Sequence, residues 1–254
     1  MLARRLVVCL DVRDGRVAKG VRFEGLRDVG DPVVLAGKYE HDGADEIVFL
    51  DISASVEGRA TLLDVVRRTA ERLFIPLTIG GGIRSADEVG LALRAGADKV
   101  SINSAAVSRP GVLTDAARRF GSQCVVASID ARRRDAGGWE VFVQGGRVPT
   151  GRDVVEWAAE CAHFGAGEIL LTSIDRDGMR DGFDQELTSA VVAAVDVPVV
   201  ASGGAGSAEH VRDVLRDAGA DAALVAGILH DGVTTVGDIK ALLTASGIHV
   251  RRAA

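Results

Sequence analysis

Short apolar runs alternate with amphipathic stretches along the whole chain. Runs at 6–10, 46–51, 75–80, 99–103, 123–129, 168–172, 199–202 and 222–226 are rich in Val, Ile and Leu. Near-continuous apolar strands of this kind belong to parallel sheets covered on both faces. Between them lie helical patterns at 31–42, 60–72, 85–93, 110–120, 152–164, 207–215 and 235–245. The first has Pro32 at the first helical position. Two of the others start with Ser followed by an acidic residue, Ser85-Ala-Asp and Ser207-Ala-Glu, which is a helix N-terminus signature. Two polar interruptions stand out. One is a long loop from 12 to 30. The other, 132–148, contains Trp139-Glu-Val-Phe-Val in the strand period and reads as an inserted hairpin.

The pattern repeats. Asp11 and Asp130 each end a strand at an offset of 119; Gly43 matches Gly165 and Gly81 matches Gly203 at 122; Gly96 matches Gly219 at 123. Solenoid repeats are far shorter, about 20–50 residues, so the chain is a doubled half-fold. Eight strand–helix units in this length predict a single (β/α)8 barrel domain over 1–254, with half-barrels of about 1–122 and 123–254. A doubly wound sheet is the competing architecture, but it does not account for four-plus-four symmetry.

Composition narrows the class. The 254 residues are 47% hydrophobic, with a formal charge of −6 and an isoelectric point near 5.4, which disfavours a general nucleic-acid or membrane-surface binder. Arg4 and Arg5 precede only a few apolar residues before Asp11, too short for a signal-peptide core, and no run is long enough to span a membrane. Cys9, Cys124 and Cys161 include no CxxC pair and fit reduced thiols. A cytoplasmic protein is expected.

In such a barrel, chemistry sits where strands end. Asp11, Asp51, Gly80 to Gly82, Asn103, Asp130, Thr172, Ser202 and Gly203 fall there. The symmetric pair Asp11 and Asp130 suits one general acid and one base, although a strand-end Asp also serves as a loop cap. The strand 3 and strand 7 copies, Ile75-Pro-Leu-Thr-Ile-Gly-Gly-Gly-Ile-Arg-Ser and Val197-Pro-Val-Val-Ala-Ser-Gly-Gly-Ala-Gly-Ser, place Gly clusters before helix N-termini, where backbone N–H groups meet anions. Two phosphates, one per half, follow from the duplication. Arg5, Glu46, Lys99 and Glu168 fall at strand starts, the face that normally serves stability. The five His residues are scattered and offer no metal-ligand cluster.

Several pieces together resemble the HisF family, the cyclase subunits of imidazole glycerol phosphate synthase in histidine biosynthesis. They are Cys9-Leu-Asp-Val, Asp14-Gly-Arg-Val with Lys19-Gly, Phe49-Leu-Asp-Ile, Gly80-Gly-Gly-Ile, Ala97-Asp-Lys-Val-Ser-Ile-Asn, Gly167-Glu-Ile-Leu-Leu-Thr-Ser and Ala201-Ser-Gly-Gly-Ala-Gly. The resemblance implies an ammonia-dependent cyclase that acts on a bis-phosphorylated ribulosyl aminoimidazole carboxamide. It further implies a separate glutaminase subunit as partner, and no cofactor. By the same resemblance Asp11 and Asp130 are the acid and base, and Lys19 lies on a loop that closes over substrate. Gly82, Asn103 and Ser104 hold one phosphate; Asp177, Gly178, Gly203, Gly204 and Gly227 hold the other, with Thr172 and Ser202 beside them. Arg5, Glu46, Lys99 and Glu168 resemble a ring gating ammonia entry. Arg22, Gly25, Met179 and Gly227 depart from the family pattern. Alternatives are the sister isomerase of the same pathway, an idle glutaminase-docking scaffold, and a paralogue delivering ammonia to another sugar.

Overall fold

The structure is a computed structural model that describes residues 2–21, 24–52 and 56–251, with the side chains of 19–21, 24–28 and 56–61 outside that description. In chain order the elements are β1 (Arg5–Arg13), β2 (Arg16–Val21), β3 (Glu24–Gly30), α1 (Pro32–His41), β4 (Glu46–Asp51), α2 (Val56–Ala70), β5 (Leu77–Gly80), α3 (Ala86–Arg94) and β6 (Lys99–Ile102). There follow α4 (Ser104–Ser108), α5 (Gly111–Phe120), β7 (Val125–Arg133), β8 (Trp139–Val143), β9 (Val148–Asp153) and α6 (Val154–His163). The chain continues through β10 (Glu168–Ser173), α7 (Gln185–Val192), β11 (Val199–Ser202), α8 (Ala208–Arg216), β12 (Ala222–Val225), α9 (Gly227–His230) and α10 (Val236–Ala245).

Eight strands close a parallel barrel in the order β1-β4-β5-β6-β7-β10-β11-β12, with β12 returning to β1. This is the (β/α)8 barrel that the alternation predicted. Side-chain parity along the strands sorts the core into two parts. On β1, Leu6, Val8 and Leu10 face the helical layer, where the large core lies. Val7 and Cys9 face the axis with Val48, Val126, Leu170, Val200, Ala222 and Leu224. The inward parity therefore runs charged, apolar, carboxylic from bottom to top: Arg5, then Val7 and Cys9, then Asp11.

The duplication extends to individual hydrogen bonds. Asp31 caps α1 through Val33 N–H at 2.8 Å, and Asp153 caps α6 through Val155 N–H at the same distance. Ser85 and Ser207 accept from Glu88 and His210 N–H. Asp98 holds Leu77 N–H at the start of β5, and Asp221 holds Val199 N–H at the start of β11. Each cap satisfies an N–H that the helix or strand leaves open.

Two sequence expectations change. The 12–30 segment, expected as a loop, is mostly a hairpin: β1 runs on to Arg13, β2 pairs antiparallel with it, and β3 pairs with β2. Val12 and Val17 are buried in the core, but the polar residues and Gly15 between them leave no apolar run to mark the strands. Short helices α4 and α9 follow β6 and β12, which apolar periodicity over five and four residues is too brief to reveal. The expected second hairpin is present as β8 and β9.

Candidate active site

Asp11 sits near the upper end of β1 and Asp130 on β7, facing the barrel mouth above the inner apolar layer. Asn103 follows β6 and its Nδ2 donates to Asp130 Oδ2 at 2.9 Å. Cys9 Sγ lies 3.9 Å from Asp11 Oδ1. Burial first, and then the charge of Asp177, push Asp11 up from 3.8 to about 6. The same two causes push Asp130 up to about 7, with the Asn103 hydrogen bond pulling the other way. Carboxyls so placed hold both protonation states near neutral pH, which is what acid and base work requires.

Asp177 is expected beside the second phosphate, and the structure also sets its charge against Asp11 and Asp130. It lies in the loop after β10, where its N–H donates to Ser173 O at 3.0 Å. Burial raises its own carboxyl, offset by a hydrogen bond from Gly178 N–H. Its charge reaches both Asp11 and Asp130, so three carboxyls share the mouth. A run such as Asp175-Arg-Asp-Gly gives no hint which of its acids turns inward.

The Gly turns are built alike in both halves. Gly81 (φ 100°) passes so close to the end of β4 that a Cβ would meet Asp51 O at 2.4 Å; at Gly203 (φ 89°) it would meet Ser173 O at 2.6 Å. Only glycine fits there. Gly82 and Gly204 also take positive φ. Ser104 and Gly227 open α4 and α9 on the same rim, and Ser104 Oγ accepts from Gln144 N–H of the second hairpin at 3.0 Å. Thr172 and Ser202 pair in register, and Thr172 also pairs with Asp130. Met179 is half exposed, and Gly25 lies in β3. The Lys19 side chain and Arg22 lie outside the described residues. His230 packs inside, accepting from or donating to Tyr39 Oη at 2.7 Å and meeting Cys9 O at 3.2 Å.

At the opposite end, the four strand-start charges form a closed ring. Arg5 pairs with Glu46 at 3.0 Å and with Glu168; Lys99 pairs with Glu46 at 2.9 Å and Glu168 at 2.8 Å. Thr78 Oγ1 donates to Glu46 Oε1 at 2.6 Å. The glutamates are buried while Arg5 and Lys99 keep partial exposure, so the ring closes the underside of the inner apolar layer. Around this face, Leu2 and Phe74 are almost fully exposed. Among the described residues no helix is long and apolar enough to cross a membrane.

The sequence matches known proteins along nearly its whole length. The family model described as histidine biosynthesis protein matches residues 5–235. A protein of Myxococcus xanthus named imidazole glycerol phosphate synthase subunit HisF is 70% identical over 251 residues, covering 99% of each chain. Proteins of the same name from a Synechococcus strain and from Mycobacteroides abscessus are 60% and 57% identical, each over at least 98% of both chains.

Proposed function

The chain belongs to the histidine biosynthesis family, and from its HisF identity as an imidazole glycerol phosphate synthase cyclase subunit we propose the following division of labour. Ammonia joins a bis-phosphorylated ribulosyl aminoimidazole carboxamide at the barrel mouth, the imidazole ring closes, and aminoimidazole carboxamide ribotide leaves. Addition of an amine to a carbonyl needs a proton given to oxygen and another taken from nitrogen. Asp11 and Asp130 supply that pair, and their lowered acidities support it, since each is partly protonated near neutral pH.

The two Gly turns anchor the substrate. Gly82, Ser104 and the main chain of Asn103 serve one phosphate; Gly178, Gly203, Gly204 and Gly227 serve the other, with Thr172 and Ser202 alongside. Where a family serine commonly stands, Gly227 offers its N–H alone. Asp177 stands beside the acid–base pair and raises both carboxyls, and Lys19 closes over the substrate from the first hairpin.

Ammonia enters from below. The partner is a glutaminase docked on the underside, where exposed Leu2 and Phe74 flank the ring of Arg5, Glu46, Lys99 and Glu168. Above the ring the axis is lined by apolar side chains, suited to a small neutral molecule and closed to ions. The free thiols, of which Cys9 and Cys161 are buried, fit a cytoplasmic setting.

The observation that carries this reading is the facing carboxyl pair above an apolar axis. Its test is turnover of the ribulosyl bis-phosphate with saturating ammonium. Asp11→Asn and Asp130→Asn are each expected to lower kcat by ~10²–10⁴-fold, with KM within a few-fold. Near-wild-type turnover in either variant overturns the assignment of that residue.

A further inference from the structure

Asn103 stands at the N-cap of α4, the position where Asn ordinarily accepts a hydrogen bond from the first turn. Here its side chain makes no such cap bond. The main-chain carbonyl of Asn103 accepts from Ala106 and Val107 N–H at 2.8 and 3.2 Å, which fixes the backbone. The amide is aimed at Asp130 instead, with Nδ2 donating to Oδ2. Its Oδ1 is buried and has no hydrogen-bond partner among the described residues.

The duplication supplies an internal control. Asn103 follows β6, which neighbours the Asp130 strand; the equivalent position after β12, which neighbours the Asp11 strand, is Ala226. The two residues have similar backbones, φ −114° and ψ −89° against φ −141° and ψ −79°. The backbone geometry thus does not require an Asn. Asp130 has an amide donor where Asp11 has a methyl group, and Asp11 has a weak thiol contact at 3.9 Å. The halves are alike in chain path and unlike in how each carboxyl is held.

We propose that Asn103 is the positioning residue of Asp130: it clamps Oδ2, leaves Oδ1 to face the substrate, and makes the two symmetric carboxyls inequivalent. This rests on the cyclase reading for its catalytic consequence, but not for the clamp itself. A donor to the ionised form favours that form, so the clamp also holds Asp130 lower than burial alone would set it. The buried Oδ1 of Asn103 can only accept, which suits an N–H or O–H of the reacting groups and not a phosphate oxygen.

The test uses Asn103→Leu, which keeps the branch at Cγ without the donor, and Asn103→Ser, which is small and cap-competent but too short to reach Asp130. In the substrate-free protein, ¹³C NMR titration of the Asp130 carboxyl should move upward by about one pH unit in both variants, the size of a hydrogen bond to a charged acceptor. With ammonium as nitrogen source, kcat should fall by about tenfold or more with KM within a few-fold. The acid limb of the kcat/KM profile should shift the same way as the titration. In an Asp130→Asn background, Asn103→Leu should cost nothing further, because interacting residues are not additive. An unmoved Asp130 titration overturns the clamp. A higher KM with kcat and pH profile unchanged also overturns it and makes Asn103 a plain phosphate ligand. A moved titration with unchanged turnover supports the clamp and removes Asp130 from the chemistry, so the two readings fail separately.

Discussion

Replacing Asp130 by Asn should stabilise the protein at alkaline pH while abolishing most of its activity. The carboxyl is pushed from 3.8 to about 7 by burial and by Asp177. In the unfolded chain it ionises near its ordinary value, so folding is opposed wherever the unfolded form has lost the proton and the folded form has not, or has lost it at a penalty. A raised pKa means that stability is fully present below about pH 4 and declines as pH rises towards 7, then stays level. Moving a carboxyl over that range amounts to ~4 kcal/mol at about 1.36 kcal/mol per pH unit. Burial is the larger cause, and a buried amide carries a desolvation cost of its own, so about half, ~2 kcal/mol, is expected to appear on replacing the carboxylate by an amide. Asn is isosteric and can still accept from Asn103. For a chain of this size ~2 kcal/mol corresponds to a thermal midpoint about 4–8 °C higher at pH 8. The assay is thermal unfolding at fixed scan rate from pH 4 to 8. The advantage should shrink to a small fraction by pH 4. A variant no more stable than wild type at pH 8, or one whose advantage is the same at pH 4, would refute the electrostatic reasoning.

Three further outcomes follow from the geometry. Lys99→Ala opens the ring beside Glu46 and Glu168 and should impair glutamine-dependent turnover, or its coupling to glutamine hydrolysis, far more than turnover with free ammonium; equal losses with both nitrogen sources would reduce the ring to a plug. Gly203→Ala puts a Cβ 2.6 Å from Ser173 O at φ 89° and should raise the KM for the bis-phosphate about tenfold or more through the displaced turn, at a backbone cost of ~1–2 kcal/mol, whereas an unchanged KM would take Gly203 out of the phosphate site. The hairpin of β2 and β3 should become more protected from hydrogen exchange when bis-phosphate ligand binds, as a closing lid does; equal protection with and without ligand would remove its lid role.

What the sequence determined by itself is whatever depends on near neighbours in the chain. The apolar runs, the Ser and Asp caps and the Gly-rich turns are local signals, and they repeat at a nearly constant offset, so eight units and two equivalent halves were legible without coordinates. The strand-start charges and strand-end carboxyls were legible too, because direction along a strand decides which rim a residue occupies. The closure of Arg5, Glu46, Lys99 and Glu168 into one ring was not: it depends on the register of β1, β4, β6 and β10 around the axis. The same holds for Asp177 turning towards Asp11 and Asp130, and for the Asn103 amide bonding to Asp130 across two adjacent strands. Chain symmetry pairs Asn103 with Ala226 and Asp130 with Asp11, yet it is silent on which side chains meet. That is decided only when the barrel closes, because each contact joins residues whose separation is set by sheet register and not by their spacing in the chain.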